Sequence, residues 1–442
     1  MSTGEPSSSN SELEIRYENV VLIRPDVDRG GSFLVSCVQQ DGTALDAPYK
    51  LSTFSASEVP ESLKTLVVDQ CPAHLRSSPN HRVDVVVSTK SGTRLALACW
   101  EDVVKPLLEA VQGLGDGDGD GKQRGYEVVV TQNARSVRDF ARATYEAADD
   151  VTIVLLSGDG GIVDLLNESE SGKQLRPPSV ALLPLGTGNA LFHSLHKPRY
   201  SKGTPTAPLV HGLRTLFGGS PNPLPIFRAS FSPGATLVHV PDHLDGEELP
   251  HRRPEHVDHL FGAIVASHGF HASIVWESDT PAYRAHGARR FGMVAEQLLR
   301  ENHAYKATVS TSRPQEDAVL RPLDGSEFSY VLATMVSNLE KEFTISPASL
   351  PLDGKLRLVH FRHLGPDGGA KTMEIMRAAY NQGAHVQVDE VSYDEIEEVK
   401  VEIHEDDGRW RKVCVDGTIV EVEKGGWMHV TKELDSRLRI IN

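Results

Sequence analysis

The motif Ser157-Gly158-Asp159-Gly160-Gly161 is the part of the chain best suited to chemistry, and it directly follows an apolar run. Glycines around one aspartate let the backbone approach a ligand closely, because no Cβ occupies the space. Backbone amides at the start of a following helix would donate to anionic oxygens. The motif therefore predicts a phosphate-binding turn that holds the Asp159 carboxylate beside the phosphate. The alternative is an ordinary turn between a strand and a helix.

Two further turns of small residues follow other apolar runs of strand length. The first is Ser88-Thr89-Lys90-Ser91-Gly92, and the second is Pro184-Leu185-Gly186-Thr187-Gly188-Asn189. One glycine-rich turn is weak evidence, but turns at successive strand ends would lie along one edge of a parallel sheet. The three motifs together predict a nucleotide-binding cleft at that edge.

The elements around these motifs alternate between strands and helices. Apolar or β-branched runs predict strands, and amphipathic spacing predicts helices. The predicted strands are residues 83–87, 127–131, 151–156 and 180–183, and the predicted helices are residues 98–111 and 136–148. We therefore expect an N-terminal α/β domain that binds a nucleotide and is built on a parallel sheet with helices on both faces.

Beyond about residue 225 the alternation stops, and the pattern predicts a β-rich C-terminal domain. Its predicted antiparallel strands are residues 227–231, 237–240, 328–336, 355–361 and 399–404, with one long helix at 282–300. The predicted organisation is a disordered tail at 1–11, a small β-rich region of unassigned role at 12–78, the α/β domain at 79–224, the β-rich domain at 225–430, and a segment at 431–442 that is a candidate to return to the α/β domain.

Composition limits the classes of function that this chain can have. The formal net charge of −16 argues against nucleic-acid binding, which needs a basic face. No run approaches the roughly 20 apolar residues of a membrane-spanning helix, and the first residues lack a basic and apolar leader. Four scattered cysteines fit reduced thiols. These features predict a cytoplasmic protein whose membrane contact is local.

One acidic segment matches the spacing of a calcium loop. Asp116-Gly117-Asp118-Gly119-Asp120-Gly121 is followed by Glu127 six residues later. A helix-loop-helix calcium site needs a helix on each side, whereas Glu127 opens a β-branched run. We interpret the segment as an acidic loop between a helix and a strand, and calcium binding stays open.

The order and spacing of the three glycine motifs resemble the catalytic domain shared by diacylglycerol, ceramide and sphingosine kinases. In that family the corresponding motifs are NPxSG, GGDGT or SGDG, and PxGTGN or PxGSGN. The SGDG form and the Ala190-Leu191 pair after Asn189 are more similar to the sphingosine kinase branch. The likeness covers about residues 80–430 and continues through His268-Gly269-Phe270, Glu277-Ser278, Tyr283-Arg284, Gly287 to Phe291, Ile345-Ser346-Pro347, Asp353-Gly354 and Asp416-Gly417.

This resemblance implies an ATP-dependent lipid kinase that uses Mg²⁺ and meets its membrane lipid, a sphingoid base, by peripheral membrane contact. It implies that Asp159 is the general base on the lipid hydroxyl or orders Mg²⁺ through water, and that Asp164 is an acidic position one helical turn further on. Arginines suit phosphate contacts because they are permanently charged and bidentate. The implied ATP-binding residues are Ser88, Lys90, Ser91, Gly92, Ser157, Gly158, Gly160, Gly161, Gly186, Thr187, Gly188, Asn189, Arg284, Arg290, Asp416 and Gly417.

The sequence departs from the family's pattern at several positions. Ser88-Thr89 replaces the leading Asn-Pro, and Thr418 replaces the glutamate that follows Asp416-Gly417. The serine and aspartate that hold a sphingoid head group in the animal enzymes fall at about Val265 and Val275, which cannot accept a hydrogen bond from an amine. A diacylglycerol or ceramide kinase is therefore the alternative enzyme. A catalytically silent homologue that binds lipid or nucleotide is the alternative outside the enzymes.

Overall fold

The computed structural model describes most of the 442 residues of the chain. The described residues are 16–40, 48–92, 94–114, 125–133, 135–146, 149–168, 176–200, 206–238, 254–287, 289–314 and 319–442. The predicted disordered tail at 1–11 lies outside the described residues. So does most of the acidic segment with calcium-loop spacing, so neither prediction is addressed by the structure.

A small antiparallel sheet precedes the α/β part of the chain. Its strands pair in the order β1-β2-β3, and their bounds are Val20–Pro25 (β1), Phe33–Gln40 (β2) and Tyr49–Ala56 (β3). Leu63 packs with apolar side chains of β1 and β2 in a small separate core. The Arg214 guanidinium, on a later helix, donates to the Val20 carbonyl at 2.8 Å and so ties β1 to the α/β part.

The next sheet is parallel over four consecutive strands, in the order β5 (Glu127–Val130), β4 (His81–Val87), β6 (Asp150–Ser157) and β7 (Ser179–Pro184). β6 carries the longest buried run, and β4 and β7 carry shorter ones, as expected for strands covered on both sides. The helices of this part are α1 (Ala96–Cys99), a π-helical turn Trp100–Val104 that continues into α2 (Lys105–Gln112), α3 (Ser136–Glu146), α4 (Asp159–Asn167), α5 (Ala190–Tyr200) and α6 (Pro208–Gly218).

Alternate residues of the central strands enter two different cores. On β6, Ile153 and Leu155 pack in one core with side chains of α3, α4 and α5. Val154 and Leu156 pack in a second core with side chains of α1, α2 and α6. This split follows from the two-residue side-chain period of a strand. The prediction of an α/β sheet with helices is confirmed at this level.

The second part of the chain is dominated by a large, mostly antiparallel sheet, which confirms the predicted β-rich region. Its strands are β9 (Ile226–Phe231), β10 (Thr236–Leu237), β11 (His259–Gly262), β12 (Val265–Gly269), β13 (Tyr305–Ser312), β14 (Arg321–Pro322), β15 (Glu327–Thr334), β16 (Leu356–Arg362), β17 (Ser392–Ile396), β18 (Glu398–Ile403), β19 (Lys412–Val415), β20 (Thr418–Glu421) and β21 (Trp427–Glu433). Its helices are α7 (Phe270–Ser278), α8 (Pro281–Arg284), α9 (Arg289–Glu301) and α10 (Gly368–Tyr380).

The prediction of a single long helix at 282–300 is wrong. α8 ends at Arg284, and Gly287 has a φ of +58°, a left-handed conformation that no helix interior adopts. α9 begins two residues later, at Arg289. Within the described residues, no helix has the length and apolar character needed to cross a membrane.

The two large sheets are connected at both ends of the second part. β8 (Pro221–Pro223) leads into β9, and β22 (Arg439–Ile441) follows β21. β22 pairs with β7 in parallel and with β8 in the antiparallel direction, so the last strand of the chain lies in the sheet of the α/β part. Two chain crossings close together restrict how far the two parts can move apart.

Candidate active site

The three glycine motifs meet at the carboxyl ends of β4, β6 and β7. The Gly158 amide donates to the Ser91 hydroxyl at 3.3 Å, and that hydroxyl lies 3.4 Å from Ser157 Oγ. A Cβ added to Gly158 would lie 2.7 Å from the Cα of Gly186, and one added to Gly92 would lie 2.7 Å from the Gly186 carbonyl carbon. These loops are packed backbone against backbone, at distances that only glycine permits.

Gly160 and Gly188 have a different environment from the packed glycines. A Cβ on Gly160 would have no heavy atom within 4 Å, and a Cβ on Gly188 would meet the Leu339 carbonyl oxygen at 3.4 Å. Thr187, next to Gly188, is exposed. The open side of the loops is therefore at these residues, and a phosphate could approach the backbone there.

Asn189 closes the third loop onto itself. Its φ is +56°, which asparagine tolerates better than most residues. Its side-chain oxygen accepts from the Gly186 amide at 2.9 Å, and its side-chain nitrogen donates to the Gly186 carbonyl at 3.0 Å. Gly161 instead serves packing, because a Cβ there would lie 2.9 Å from Ser157 Oγ. The loop shape is thus fixed by local bonds.

The first loop is anchored to its neighbouring strands. The Ser88 amide donates to the Leu156 carbonyl at 3.0 Å. The Thr89 hydroxyl donates to the Thr131 carbonyl at 2.8 Å. Lys90, at the tip of this loop, is exposed. The loop is therefore anchored to the sheet by hydrogen bonds and carries a positive charge at its tip.

Asp159 is the first residue of α4, but its carboxylate is bound to the start of α5. Oδ2 accepts from the Ala190 amide at 2.7 Å, and Oδ1 accepts from the Leu191 amide at 3.1 Å. Burial raises the pKa of Asp159 above its ordinary range, and the two amide donors oppose that shift. The carboxylate therefore acts as the N-terminal cap of a helix from another loop.

Asp416 and Gly417 form the two-residue turn of the β19–β20 hairpin. Both have positive φ, +47° and +90°, as a primed hairpin turn requires. The buried Asp416 carboxylate accepts from the amides of three consecutive residues, Ala263, Ile264 and Val265, with shortest distances of 2.6 to 3.0 Å. The sequence motif is therefore a hairpin turn that also fixes the start of β12.

Asp159 and Asp416 lie close enough for their charges to interact. Burial raises the pKa of Asp416 to about 7, and the three amide donors oppose this shift. The Asp159 carboxylate adds to the rise, because two like charges in a poorly solvated region disfavour each other's ionised form. The structure thus brings one carboxylate from each part of the chain to the same region.

Asp164 is held by a salt bridge across the α3–α4 pair. The Arg138 Nε donates to its Oδ1 at 2.8 Å, and the carboxylate is largely buried. Burial raises the pKa of Asp164, and the Arg138 guanidinium opposes the shift. This carboxylate lies on α4, one turn beyond Asp159, and it fixes that helix to α3.

Arg284 and Arg290 converge on one carboxylate, that of Asp279. Arg284 donates to both Asp279 oxygens, at 3.1 and 2.7 Å, and Arg290 lies 3.3 Å from Oδ1. The buried Nε of Arg290 has no hydrogen-bond partner in the described part of the chain. The break between α8 and α9 allows this convergence, which a continuous helix would not.

The comparisons with known proteins agree with this geometry. Residues 82–216 match the family model of the diacylglycerol kinase catalytic domain. This part of the chain is a lipid kinase catalytic domain. The matched range contains all three glycine motifs together with Asp159 and Asp164, and a kinase of this family uses ATP.

Solved structures share the fold of the kinase over most of its length. One protein from Bacillus anthracis str. Sterne, assigned as a diacylglycerol kinase, covers 81% of this chain with 94% of its own, at 13% identity and a TM-score of 0.52. A second from the same organism and with the same assignment covers 83% of this chain with 98% of its own, at 13% identity and a TM-score of 0.51. No curated protein sequence matches the chain significantly. The likeness to the sphingosine kinase branch is not confirmed by these findings.

Among the described residues of the kinase, no group of three acidic, histidine or cysteine side chains is arranged to hold a metal ion. The oxygens of Asp159 and Asp416 already accept backbone hydrogen bonds. The described side chains alone therefore do not form a three-ligand cation site.

Val265 and Val275, which stand where the animal sphingosine kinases have head-group contacts, lie in different apolar environments. Val265 is buried in the core that also holds residues of α4 and α5. Val275 packs beside the small cluster of Ala272, Cys414 and Ile419. Neither position offers a hydrogen-bond acceptor to an amine.

Sequence reasoning missed the partners of several site residues. Asp279 pairs with both arginines, and Arg138 pairs with Asp164. Asn167 is the last residue of α4, and the only signal in the sequence was its polar side chain directly after Leu165 and Leu166. Its contacts proved to reach the second part of the chain.

Proposed function

We propose that this kinase transfers the γ-phosphate of ATP to a hydroxyl group of a membrane lipid, with a sphingoid base as the acceptor. The nucleotide would lie over the open side of the glycine loops, and the lipid would arrive from peripheral contact with a membrane. Magnesium would enter with the phosphates of ATP.

One observation supports the proposal most strongly: the three strand-end loops are locked together while Gly160 and Gly188 stay open. Locked loops present backbone amides in fixed directions, which stabilises transferring phosphate charge without reorganisation. Lys90 would add a positive charge from the first loop. Arg284 and Arg290 would add two more once Asp279 exchanges them for phosphate oxygens.

The proposed chemistry moves one proton and one phosphoryl group. The lipid hydroxyl oxygen attacks the γ-phosphorus, its proton passes to Asp159, and the bond to the β-phosphate oxygen breaks to release ADP. The raised pKa of Asp159 makes its carboxylate a stronger base than an exposed aspartate. Each carboxylate oxygen keeps a free lone pair after accepting one amide hydrogen bond.

An apolar crevice beside Asp159 supports a lipid as the acceptor. It is lined by Leu191 and Ala263, whose amides hold Asp159 and Asp416, and by residues at the junction of the two parts. Leu350, at the edge of the crevice, is 64% exposed. Apolar surface that runs from an exposed leucine to the residues whose amides hold the two carboxylates suits an acyl chain better than a sugar or a peptide.

A second candidate acceptor is diacylglycerol or ceramide. The buried apolar surroundings of Val265 and Val275 favour it, because a protonated amine placed there would lose hydration without a compensating acceptor. A neutral head group would avoid that cost.

Purified full-length protein with labelled ATP, Mg²⁺ and mixed micelles of sphingosine, diacylglycerol or ceramide tests the proposal. We expect label in sphingosine, and none after Asp159→Ala. Label in diacylglycerol or ceramide alone would change the proposed acceptor lipid but would still support lipid kinase activity. Absence of label in every lipid, from protein that binds ATP, would overturn the proposal in favour of a silent homologue.

A further inference from the structure

Two polar side chains, the half-buried Asn167 and the buried Ser194, connect the glycine loops to the second part of the chain. α4 starts at Asp159 and ends at Asn167, and α5 starts at Ala190 and carries Ser194 one turn later. Each of these polar side chains bonds both backbone groups of a single residue in the second part. Such a pair of hydrogen bonds fixes the relative position of the two residues without depending on the partner's side chain.

The first connection joins Asn167 to Phe261 of β11. The Asn167 side-chain nitrogen donates to the Phe261 carbonyl at 3.0 Å, and the Phe261 amide donates to the Asn167 side-chain oxygen at 2.8 Å. The same nitrogen donates to the Val163 carbonyl at 2.9 Å, which orients the side chain. Two residues after Phe261, the Ala263 amide holds Asp416. The path therefore leads from Asp159 through α4 to the second carboxylate.

The second connection joins Ser194 to Asn338, which follows β15. The Asn338 amide donates to the Ser194 hydroxyl at 3.0 Å, and that hydroxyl donates towards the Asn338 carbonyl at 3.1 Å and the Ala190 carbonyl at 2.8 Å. Ala190 is the residue whose amide holds Asp159. The next residue, Leu339, places its carbonyl oxygen beside Gly188. This path returns to the third glycine loop.

The two connections have a cost that packing alone does not explain. Ser194 is 4% exposed and Asn338 is 3% exposed, so their polar atoms give up water. Apolar side chains in these places would bury the same surface without needing matched partners. What the polar pairs add is a defined register between the two parts.

We propose that Asn167 and Ser194 are positioning residues that hold the phosphate-binding loops in register with the second part, so that Asp159 and Asp416 keep a fixed separation. This inference rests on the proposed kinase function. It predicts that the two parts act as one preformed site and do not need a large closure before phosphoryl transfer.

Steady-state kinetics of Asn167→Ala and Ser194→Ala test this role. We expect kcat to fall at least tenfold while KM for ATP changes less than threefold, because the loops still bind phosphate but are misplaced against the acceptor. Ser194→Thr keeps the hydroxyl, and the crevice beside Ser194 can take its methyl group, so it should recover most of kcat. Asn167→Asp keeps the acceptor for the Phe261 amide and should be intermediate.

Asn222→Ala is the matched control, since that side chain bonds the nearby Ser220 carbonyl on the surface and should leave kcat unchanged. Amide hydrogen exchange of peptides containing Phe261 and Asn338 gives a readout that does not need activity. Exchange should accelerate in the alanine variants under conditions where each variant remains folded by thermal unfolding. If an alanine variant does not fold, Asn167→Asp and Ser194→Thr supply the kinetic comparison.

Three outcomes would overturn the inference. The first is unchanged kcat in both alanine variants, and the second is unchanged exchange at Phe261 and Asn338. The third is a fall in kcat that matches a fall in folded protein and is not restored by Ser194→Thr. If wild-type protein labels no lipid, the proposed function fails on its own. Exchange then decides the inference, with faster exchange in the glycine loops supporting it and unchanged exchange rejecting it.

Discussion

Asp159 and Ala190 are joined by a hydrogen bond of 2.7 Å between the carboxylate of one glycine loop and the first amide of the helix that follows another. The anion at the start of α5 is therefore the protein's own carboxylate. A phosphate cannot take the same amides, so it must approach the open side of the loops at Gly160 and Gly188. Asp159 thus joins two loops through backbone hydrogen bonds.

The first prediction concerns Asp159→Asn. We expect turnover to fall by about 100-fold or more, because an amide cannot take the proton of the lipid hydroxyl. ATP affinity should stay within about three-fold of wild type, since the open glycines are untouched. The free energy of unfolding should fall by about 1 kcal/mol, because the amide nitrogen cannot accept from Ala190. Turnover, ATP titration and urea denaturation measure the three quantities.

Asp139→Asn is the control for this charge change, since Asp139 is exposed on α3 and its nearest cation lies 4.0 Å away. It should leave turnover and stability unchanged. If Asp159→Asn kept more than about a tenth of wild-type turnover, the base would be another group and Asp159 would be only a cap.

The second prediction separates two kinds of glycine in the loops. Gly188→Val should remove ATP binding in a folded protein, because its side chain would occupy the open side of the loop. Gly186→Ala should instead lower the free energy of unfolding by about 1 to 3 kcal/mol, because its Cβ would lie 2.9 Å from the Asn189 side-chain oxygen and closer to Gly158. Thermal unfolding and ATP titration distinguish the two results.

Gly160→Ala extends the same comparison with the smallest change. Its Cβ meets no heavy atom within 4 Å, so stability should be unchanged while ATP affinity falls. Full ATP affinity in both Gly160→Ala and Gly188→Val would place the phosphates away from these loops.

The sequence was most informative where strands are buried on both faces. The valine run of β4 and the apolar run of β6 stand out because neither alternates with polar residues, and both predictions fell within two residues of the observed bounds. Their loops could then be placed at one sheet edge by topology. In the second part, individual strands such as those predicted at 328–336 and 355–361 lie close to β15 and β16. Their pairing order was not predicted, because antiparallel strands do not reveal it in sequence.

Side-chain partners were out of reach of the sequence. Asp164 and Arg138 are 26 residues apart, and Asn167 and Phe261 are 94 residues apart. Nothing in local spacing relates such pairs, since they meet only after the sheets assemble. The amphipathic pattern alone did not show the break between α8 and α9, because one glycine in such a pattern is tolerated too often to end a helix.

The third prediction concerns the dependence of stability on pH. Burial lowers the pKa of His211 to about 4, and the nearby cations Arg214, Arg199 and Lys341 add to this shift. The unfolded chain binds a proton below about 6.5, whereas the folded protein does not until about pH 4. Stability is therefore complete above pH 6.5 and is lost as pH falls towards 4. Other histidines share this direction: His74, His193, His196, His259, His268, His271, His360 and His385.

His211→Leu tests this assignment, because both ring nitrogens of the buried His211 have no hydrogen-bond partner among the described residues. Between pH 4 and 6.5 the free energy of unfolding should rise with pH less steeply in the variant than in the wild type. The difference in slope should be about 1.4 kcal/mol per pH unit, which is the contribution of one proton. Urea denaturation at several pH values measures the slope. His256→Gln, at an exposed position, should leave it unchanged. A wild-type slope in His211→Leu would mean that His211 already binds a proton in the folded state.

The fourth prediction concerns Arg284, Arg290 and the carboxylate that they share. Each arginine replaced by alanine should cost about 2 to 4 kcal/mol in turnover, because its charge would act on the transferring phosphoryl group. Arg→Lys should recover little, since an ammonium lacks the planar fork that bridges two oxygens. The costs in the double variant should not add, because both guanidinium groups act on one charge. Asp279→Asn should cost less than either arginine variant, because both positive charges remain.

Steady-state kinetics with the lipid that accepts label measures all of these variants. Arg300→Ala is the matched control, since that arginine is exposed on α9 and pairs with Glu296 one turn away. It should keep wild-type turnover. Near-wild-type rates in both single arginine variants would remove Arg284 and Arg290 from the site. The pairing with Asp279 would then be a structural brace across the α8–α9 break, and the charge opposite the phosphates would have to come from the α/β part, where Lys90 is the first residue to replace.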